Sequence, residues 1–270
     1  MHDIDLDALE EAYEHALALE KAGKSENAID AWRTVLALDP DDRGGAAIRL
    51  AALGATDAPA KAPDAYVATL FDQHADVFET ILVDQLGYAV PMQAEAALKR
   101  DAPGPYERML DLGCGTGLSG VCFGDCAGHV TGVDLSEEMI AATDETECYH
   151  ALFVGESVRF MQEADERWDL VSATDVLPYI GDLSAFFEGL SRVTEPGGVV
   201  ALSSETLPPA LMAGRDYAVT PHHRFAHAQD YLRRLLATGG FSPFVFEAIT
   251  VRREQDMPIP GWLVLARKDR

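Results

Sequence analysis

The chain has 270 residues, 48% of them apolar, which suffices for one large domain or one domain plus a small one. Acids outnumber bases 45 to 21, giving a formal charge of −24 with no basic stripe. A nucleic-acid partner, which needs Lys and Arg to neutralise phosphates, is therefore not expected. No apolar run reaches the roughly 18 residues of a membrane span, so no membrane partner is expected. The start, MHDIDLDALEE, is too acidic for a targeting signal. Four cysteines without paired CxxC spacing suggest neither a disulfide framework nor a zinc site, and the expected location is a reducing cytoplasm.

Residues 1–54 read as an all-helical head. LEEAYEHALALEKAG is a helix closed by Gly23, and SENAIDAWRTVLAL is a second, capped by Ser25 and ended by DPDD. The pair resembles a tetratricopeptide repeat through Ala28, Trp32 and Pro40, although Ala12 and His15 stand where that repeat has large residues. RGGAAIRLAALG would begin an unfinished second unit. Such a fragment cannot bury a solenoid core alone. It is either a cap on the main domain or a groove for a protein partner. ATDAPAKAPDA, residues 55–65, has little to bury and reads as a linker.

From residue 66 to 270 the pattern, after an opening helical stretch, alternates short apolar runs with helices. Strands are expected at 108–112, 130–134, 151–155, 169–173, 199–203, 244–251 and 262–266. This order implies an α/β fold with a mostly parallel sheet covered on both faces. Ligands bind such sheets at the carboxyl ends of the strands. MLDLGCGTGLSG places Gly113, Gly115 and Gly117 at the end of the first strand, with Asp111 just before them. The dinucleotide fingerprint is GxGxxG and brings a pyrophosphate to this point. Asp111 would repel it. GxGxG with a carboxylate suits a ligand that is neutral or cationic near the loop, and S-adenosylmethionine, with its ammonium and sulfonium, fits. Asp134, at the tip of the second strand in TGVDLSEEM, would accept both ribose hydroxyls. Leu135 and Met139 would sandwich the adenine, and Glu156 in FVGES would accept from its amino group. A nicotinamide-dependent oxidoreductase is the rival reading, and a binding protein that has lost turnover is another.

DLGCGTG, VDLSEEM, WDLVSATDVLPYIGDL and LSRVTEPGGVVALSSE together resemble the motifs of class I S-adenosylmethionine-dependent methyltransferases. That resemblance implies a Rossmann-like seven-stranded sheet whose last strand runs antiparallel, with REQDMPIPGW as its hairpin loop. The helical head followed by LFDQHADVFE resembles a bacterial group of predicted methyltransferases carrying such heads. Glu156 departs from the family's usual Asp. The resemblance also implies that the helix carrying Tyr66, Phe71 and Phe78 closes over the cofactor. Tyr66 is read as a cofactor contact, and Phe71 as either that or core. Asp175, after the fourth strand, is read as a catalytic residue contacting the methionine end or the substrate, with a helix cap as the alternative, and Tyr179 would line the acceptor pocket. In RDYAVTPHHRFAHAQDYL, the residues Arg215, Tyr217, His222, His223, Arg224 and His227 form the most polar cluster outside the motifs. His227 is expected as general base, and Arg224, with Tyr217 and His222, as the wall for a small-molecule acceptor bearing a carboxylate or phosphate. The His223/His227 spacing is not taken as a metal site, because no third ligand is near.

Overall fold

The structure, a computed structural model, describes residues 5–73 and 86–270; Phe78 and most of LFDQHADVFE lie outside them. The sheet is built from β1 (Tyr106–Leu112), β2 (Ala127–Asp134), β3 (Ala151–Val154), β4 (Trp168–Ala173), β5 (Thr194–Glu205), β6 (Tyr217–Val219), β7 (Phe225–His227), β8 (Phe241–Glu254) and β9 (Met257–Lys268). Its order is β3-β2-β1-β4-β5-β7-β6, with β9 antiparallel between β5 and β8. The expected seven strands are all present. Two more come from β6–β7, a short hairpin that leaves the end of β5 through a single pairing of Glu205 with Ala226. The expected Pro-Ile-Pro-Gly turn is not the hairpin's turn. The reversal falls at Gln255 and Asp256, both at positive φ, and Pro258 and Pro260 lie within β9 opposite Arg253 and Thr250.

Successive residues of a strand face opposite sides, so each central strand feeds two cores. Leu110, Leu112, Val171 and Ala173 point to the side covered by α9 (Ser184–Val193) and α11 (Gln229–Thr238), where Phe186, Leu190, Leu232 and Leu236 meet them. Met109, Leu170, Val199 and Leu265 point to the side of α5 (Val90–Asp101) and α6 (Leu118–Phe123), against Ala94, Leu98 and Phe123. Pro91 opens α5 at a position that has no N–H to lose. β1 is paired with β2 on one side and β4 on the other, so the chain reverses direction along the sheet between β1 and β4. A crevice forms at the carboxyl ends of these two strands, as such reversals require.

The head holds α1 (Leu6–Lys21), α2 (Ser25–Leu38) and α3 (Ala46–Ala52). Ser25 is inside α2 and makes no cap; Lys24 precedes it. The rings of Tyr13 and Trp32 meet edge to face at 5.3 Å, and the head has its own small core around Ala16, Ala28, Trp32, Val35 and Leu50. Its remaining apolar face is docked. Ile48, fully buried, joins Ala62, Val67 and Phe225 in one cluster with Tyr66 and Phe71 of α4 (Asp64–Asp72). Gly45, at φ 69°, lets the Tyr66 ring lie where a Cβ would come within 2.6 Å of it. On the other side, His223 Nε2 and Glu20 Oε1 are 3.2 Å apart, joining the β6–β7 turn to α1. The segment read as a free linker is tied down as well. Ala62 N–H donates to the Tyr179 carbonyl (2.9 Å), and the N–H groups of Gly181 and Asp182 donate to the Ala60 carbonyl (2.8 and 2.7 Å).

Ile48 is thus the head's plug into the main domain. Ile48→Ala is expected to cost about 2–5 kcal/mol and to lower the unfolding temperature of the whole chain in one transition. Calorimetry showing an unchanged main transition would mean that the head is not integral to the domain.

Candidate functional site

The crevice between β1 and β4 is a cleft enclosing about 910 Å³, its open mouth included. The loop after β1 forms its floor. The N–H groups of Gly113 and Cys114 donate to the Val133 carbonyl (2.7 and 3.1 Å), bending the chain away from the strand. Gly113 has φ 65°, and a Cβ there would come within 2.4 Å of Val176 Cγ2. Only glycine can keep both the turn and the space. At the tip of β2, the Asp134 carboxylate accepts from Gly115 N–H (3.0 Å) and Ser136 N–H (2.9 Å), so it braces the loop while lining the cleft. Each of its oxygens has lone-pair capacity beyond one such bond. Glu156 lines the cleft beyond β3, where it also caps α8 (Ser157–Glu163) by accepting from Arg159 N–H (2.8 Å). Leu135 also lines the cleft and packs with Val67, Phe71 and Tyr179.

Much of the remaining wall is apolar and aromatic: Ala62, Val67, Phe71, Tyr88, Pro91, Val176, Tyr179 and Ile180. Asp72 reaches across from α4 to accept from Ser136 Oγ–H (2.6 Å), holding that wall over the second strand tip. Lys61 and Asp64 stand at the lining as an ion pair (2.8 Å). Asp175 lies deeper, at φ 66°, a conformation that non-glycine residues seldom hold. Its N–H donates to Ser203 Oγ (2.8 Å), and its carboxylate accepts from Arg224. Burial raises the Asp175 carboxyl above the usual range, with Arg224 opposing. One further feature fits a polar ligand. Thr116 lines the cleft, is 6% exposed, and its Oγ1 has no partner among the described residues.

Of the residues expected from the sequence, Phe71, Gly113, Gly115, Asp134, Leu135, Glu156, Asp175 and Tyr179 line this cleft. The others do not. Asp111 is buried beneath it, where its carboxylate accepts from Tyr149 O–H (2.6 Å) and Ser172 O–H. Burial pushes its carboxyl up to about 6. Gly117 caps α6 behind the loop, facing Thr146 and Tyr149. Met139 is fully buried in α7 (Glu137–Asp144). Tyr66 is turned to the head rather than to the cleft. The sequence reading missed Tyr88, Thr116 and the strap at 61–62. Thr116 lies within DLGCGTG, between two of the glycines that drew attention, whereas no motif marks Tyr88 or the strap, whose register only the folded chain sets.

The polar cluster of residues 215–227 is not an acceptor wall. Arg224 is buried and gives its guanidinium to Asp175, to Glu205 Oε1 (2.7 Å) and to the Tyr179 hydroxyl. No fork is left for an acidic acceptor. Tyr217 packs against Phe225, His222 is exposed, and Arg215 binds the carbonyls of Leu211 and Met212. His227 is fully buried on β7. Its Nε2–H donates to the Ile180 carbonyl (2.8 Å), so Nδ1 is the acceptor for Ser204 O–H (2.8 Å). Burial pushes its imidazole down to about 4. A ring locked in this way holds the β5 end against the cleft wall and is not the general base.

The His227 environment has a pH signature. Its folded value lies below the ordinary 6.5, so the unfolded chain binds the proton more tightly. Stability from this group is present above about pH 6.5 and is lost as pH falls toward about 4. His227→Gln should flatten that loss. Urea unfolding at stepped pH checks it, and an unchanged slope would place the imidazole in solvent.

Residues 110–202 match the family model described as "Methyltransferase domain". The chain is 31% identical over 190 residues to a ubiquinone biosynthesis O-methyltransferase of Chelativorans sp. (strain BNC1), covering 61% of this chain and 73% of that one. It is 31% identical over 120 residues to the malonyl-[acyl-carrier protein] O-methyltransferase of Serratia marcescens, covering 41% of this chain and spanning 47%, less than half, of that relative. Among solved structures, the 1,6-didemethyltoxoflavin-N1-methyltransferase of Burkholderia thailandensis aligns with a TM-score of 0.58 at 20% identity, over 80% of this chain and 94% of that one. The magnesium protoporphyrin IX methyltransferase of Synechocystis PCC 6803 aligns with a TM-score of 0.52 at 17% identity, over 76% and 87%. These two show a common fold. With the glycine loop at the sheet's reversal and the extent of the first relative, the chain belongs to the class I S-adenosylmethionine-dependent methyltransferases and is an enzyme that uses S-adenosylmethionine.

Proposed function

We propose that this enzyme methylates a hydroxyl oxygen of a small molecule with an apolar body, which lies in the cleft between the glycine loop and the aromatic wall. One observation carries the reading: polar groups suited to a nucleoside, Asp134 and Glu156, line the same cleft as the aromatic set Phe71, Tyr88 and Tyr179 and the carboxylate of Asp175. The two O-methyltransferases among the relatives support oxygen as the acceptor atom.

S-adenosylmethionine supplies an activated methyl group on a sulfonium. In this chain, the backbone at Gly113 and Gly115 would hold its methionine part and Asp134 its ribose hydroxyls. Leu135 would cover the adenine, and Glu156 would accept from the adenine amino group. Thr116 Oγ1 would gain the partner it lacks among the described residues. Asp175 would take the proton from the acceptor's hydroxyl, which makes the oxygen a competent nucleophile. Its raised proton affinity suits that task, because a strongly acidic carboxyl would be a weak base. The strap, α4 and Tyr88 would exclude water and align the acceptor. Lys61 in the cleft lining and Arg224 behind it are already paired with acids. A neutral acceptor therefore fits this wall better than an anionic one.

The test is formation of S-adenosylhomocysteine across a panel of hydroxylated aromatic and aliphatic compounds, with matched amines and carboxylic acids. Turnover is expected with a neutral hydroxyl compound and not with its amine analogue; the reverse would overturn the assignment. Asp134→Ala should weaken S-adenosylhomocysteine binding by about 10- to 100-fold, corresponding to roughly 1–3 kcal/mol for the lost polar partners. Asp175→Asn should leave that affinity intact and lower the transfer rate by about 10²- to 10⁴-fold. Calorimetry and initial rates separate the two.

A further inference from the structure

Behind the cleft wall, one guanidinium serves two carboxylates and a phenol. Arg224, at the entry to β7, donates through Nε to Glu205 Oε1 at 2.7 Å, through one terminal nitrogen to Asp175 Oδ1, and through the other to the Tyr179 hydroxyl. Its plane also covers the Tyr179 ring at 4.7 Å. Glu205, the last residue of β5, is 1% exposed, and the same Oε1 also accepts from Arg252 of β8. Arg252 in turn reaches Glu254 at 3.1 Å. Glu205 Oε2 is buried without a partner among the described residues. The groups facing Asp175 among the described residues are therefore Arg224, Arg252, Glu205, Tyr179 and, from the segment before α5, Tyr88.

A carboxylate that owns an arginine is a poor proton acceptor, because the ion pair stabilises its charged form. Here the arginine is shared unequally. Glu205 is approached by two guanidinium groups and Asp175 by one, which is already divided. We propose that Glu205 and Arg252 are positioning residues that set the basicity of Asp175: Glu205 draws Arg224's charge away from Asp175, and Arg252 limits that draw by satisfying Glu205 from the other side. The inference rests on the reading of Asp175 as proton acceptor. The directions agree with the geometry. Despite its burial, Glu205 is held below the ordinary carboxylate range by Arg224 and Arg252, whereas burial leaves Asp175 above it. Neither Glu205 nor Arg252 lines the cleft. Their effect on the reaction would pass through Asp175, by way of Arg224 and of their own charges.

A cluster that only ties β5, β7 and β8 together would not make the Arg224 resonance follow the Asp175 titration, and loosened packing would move the Asp175 midpoint the same way in both variants, whereas control by charge moves it in opposite directions. The experiment is carbon-13 NMR of aspartate-labelled full-length protein, with the Asp175 signal assigned through Asp175→Asn. In Glu205→Gln, Arg224 is left to Asp175, and the Asp175 midpoint should fall by on the order of one pH unit. In Arg252→Gln, Glu205 leans harder on Arg224, and the midpoint should rise. In the wild-type protein, the Arg224 Nε resonance should shift with the Asp175 midpoint, a readout that needs no variant to fold. A midpoint that is unmoved, or that moves the same way in both variants, overturns the relay. So does an Arg224 signal that ignores the Asp175 titration. These measurements need no acceptor, so they stand apart from the assay of the base itself. Full turnover by Asp175→Asn would overturn the catalytic role while leaving the titrations as they are. An immobile Asp175 beside an inactive Asp175→Asn would overturn the relay while leaving the base.

Discussion

The buried carboxylate of Asp111 is the constraint on which the cleft depends. It lies at the reversal of the sheet, and the protein supplies its partners from several segments: Tyr149 from before β3 and Ser172 from β4. The Tyr149 hydroxyl accepts in turn from Gly120 N–H of α6 (2.9 Å). Ser119 and Thr174 close the same region with a bond of 3.0 Å. A buried carboxylate is costly unless each oxygen is matched, so this one admits few arrangements of the strands around it. The glycine loop starts one residue after β1 ends. Its position is therefore inherited from Asp111 without any contact between that carboxylate and the cleft. Tyr149 completes the arrangement by filling the space that Gly120 and Gly132 leave open.

The sequence made the sheet legible because both of its signals are local. Apolar runs such as Arg108–Leu112 and Val130–Asp134 sit between helical stretches, and the glycine spacing marks where the first strand stops. The loop, Asp134 and Glu156 followed from the same reasoning, since each sits at a strand tip. The misreadings share a cause. Asp111, Met139, Arg224 and His227 are chemically suited to a site, and nothing in the string of residues says which way they face. His227 falls in a three-residue strand whose neighbours, Ser204 and Ile180, are 23 and 47 positions away. Arg224 looks like a free cation until Glu205 and Asp175 are folded against it. Such pairings over long sequence separation leave no periodic trace.

The strap shows the same limit in another form. Alanine and proline over residues 55–65 suggest a segment with nothing to bury, yet Ala62 is buried and three backbone bonds fasten the strap to the turn after β4. Composition reports what side chains can bury. It is silent about backbone donors and acceptors, which every residue but proline carries in full. Here those groups fix one wall of the cleft.

The docking of the head on the β6–β7 hairpin has a consequence for how this architecture can vary. Ile48 is covered by Phe225, and Glu20 by His223, so each insertion is the shelter of the other. The hairpin itself hangs from the sheet by one pairing and would offer an apolar face to water without α3. Neither piece can be gained or lost gradually on its own. Among proteins built on this sheet, the two should travel as a linked pair, present together or absent together, with compensating changes at positions 45, 48, 66 and 225.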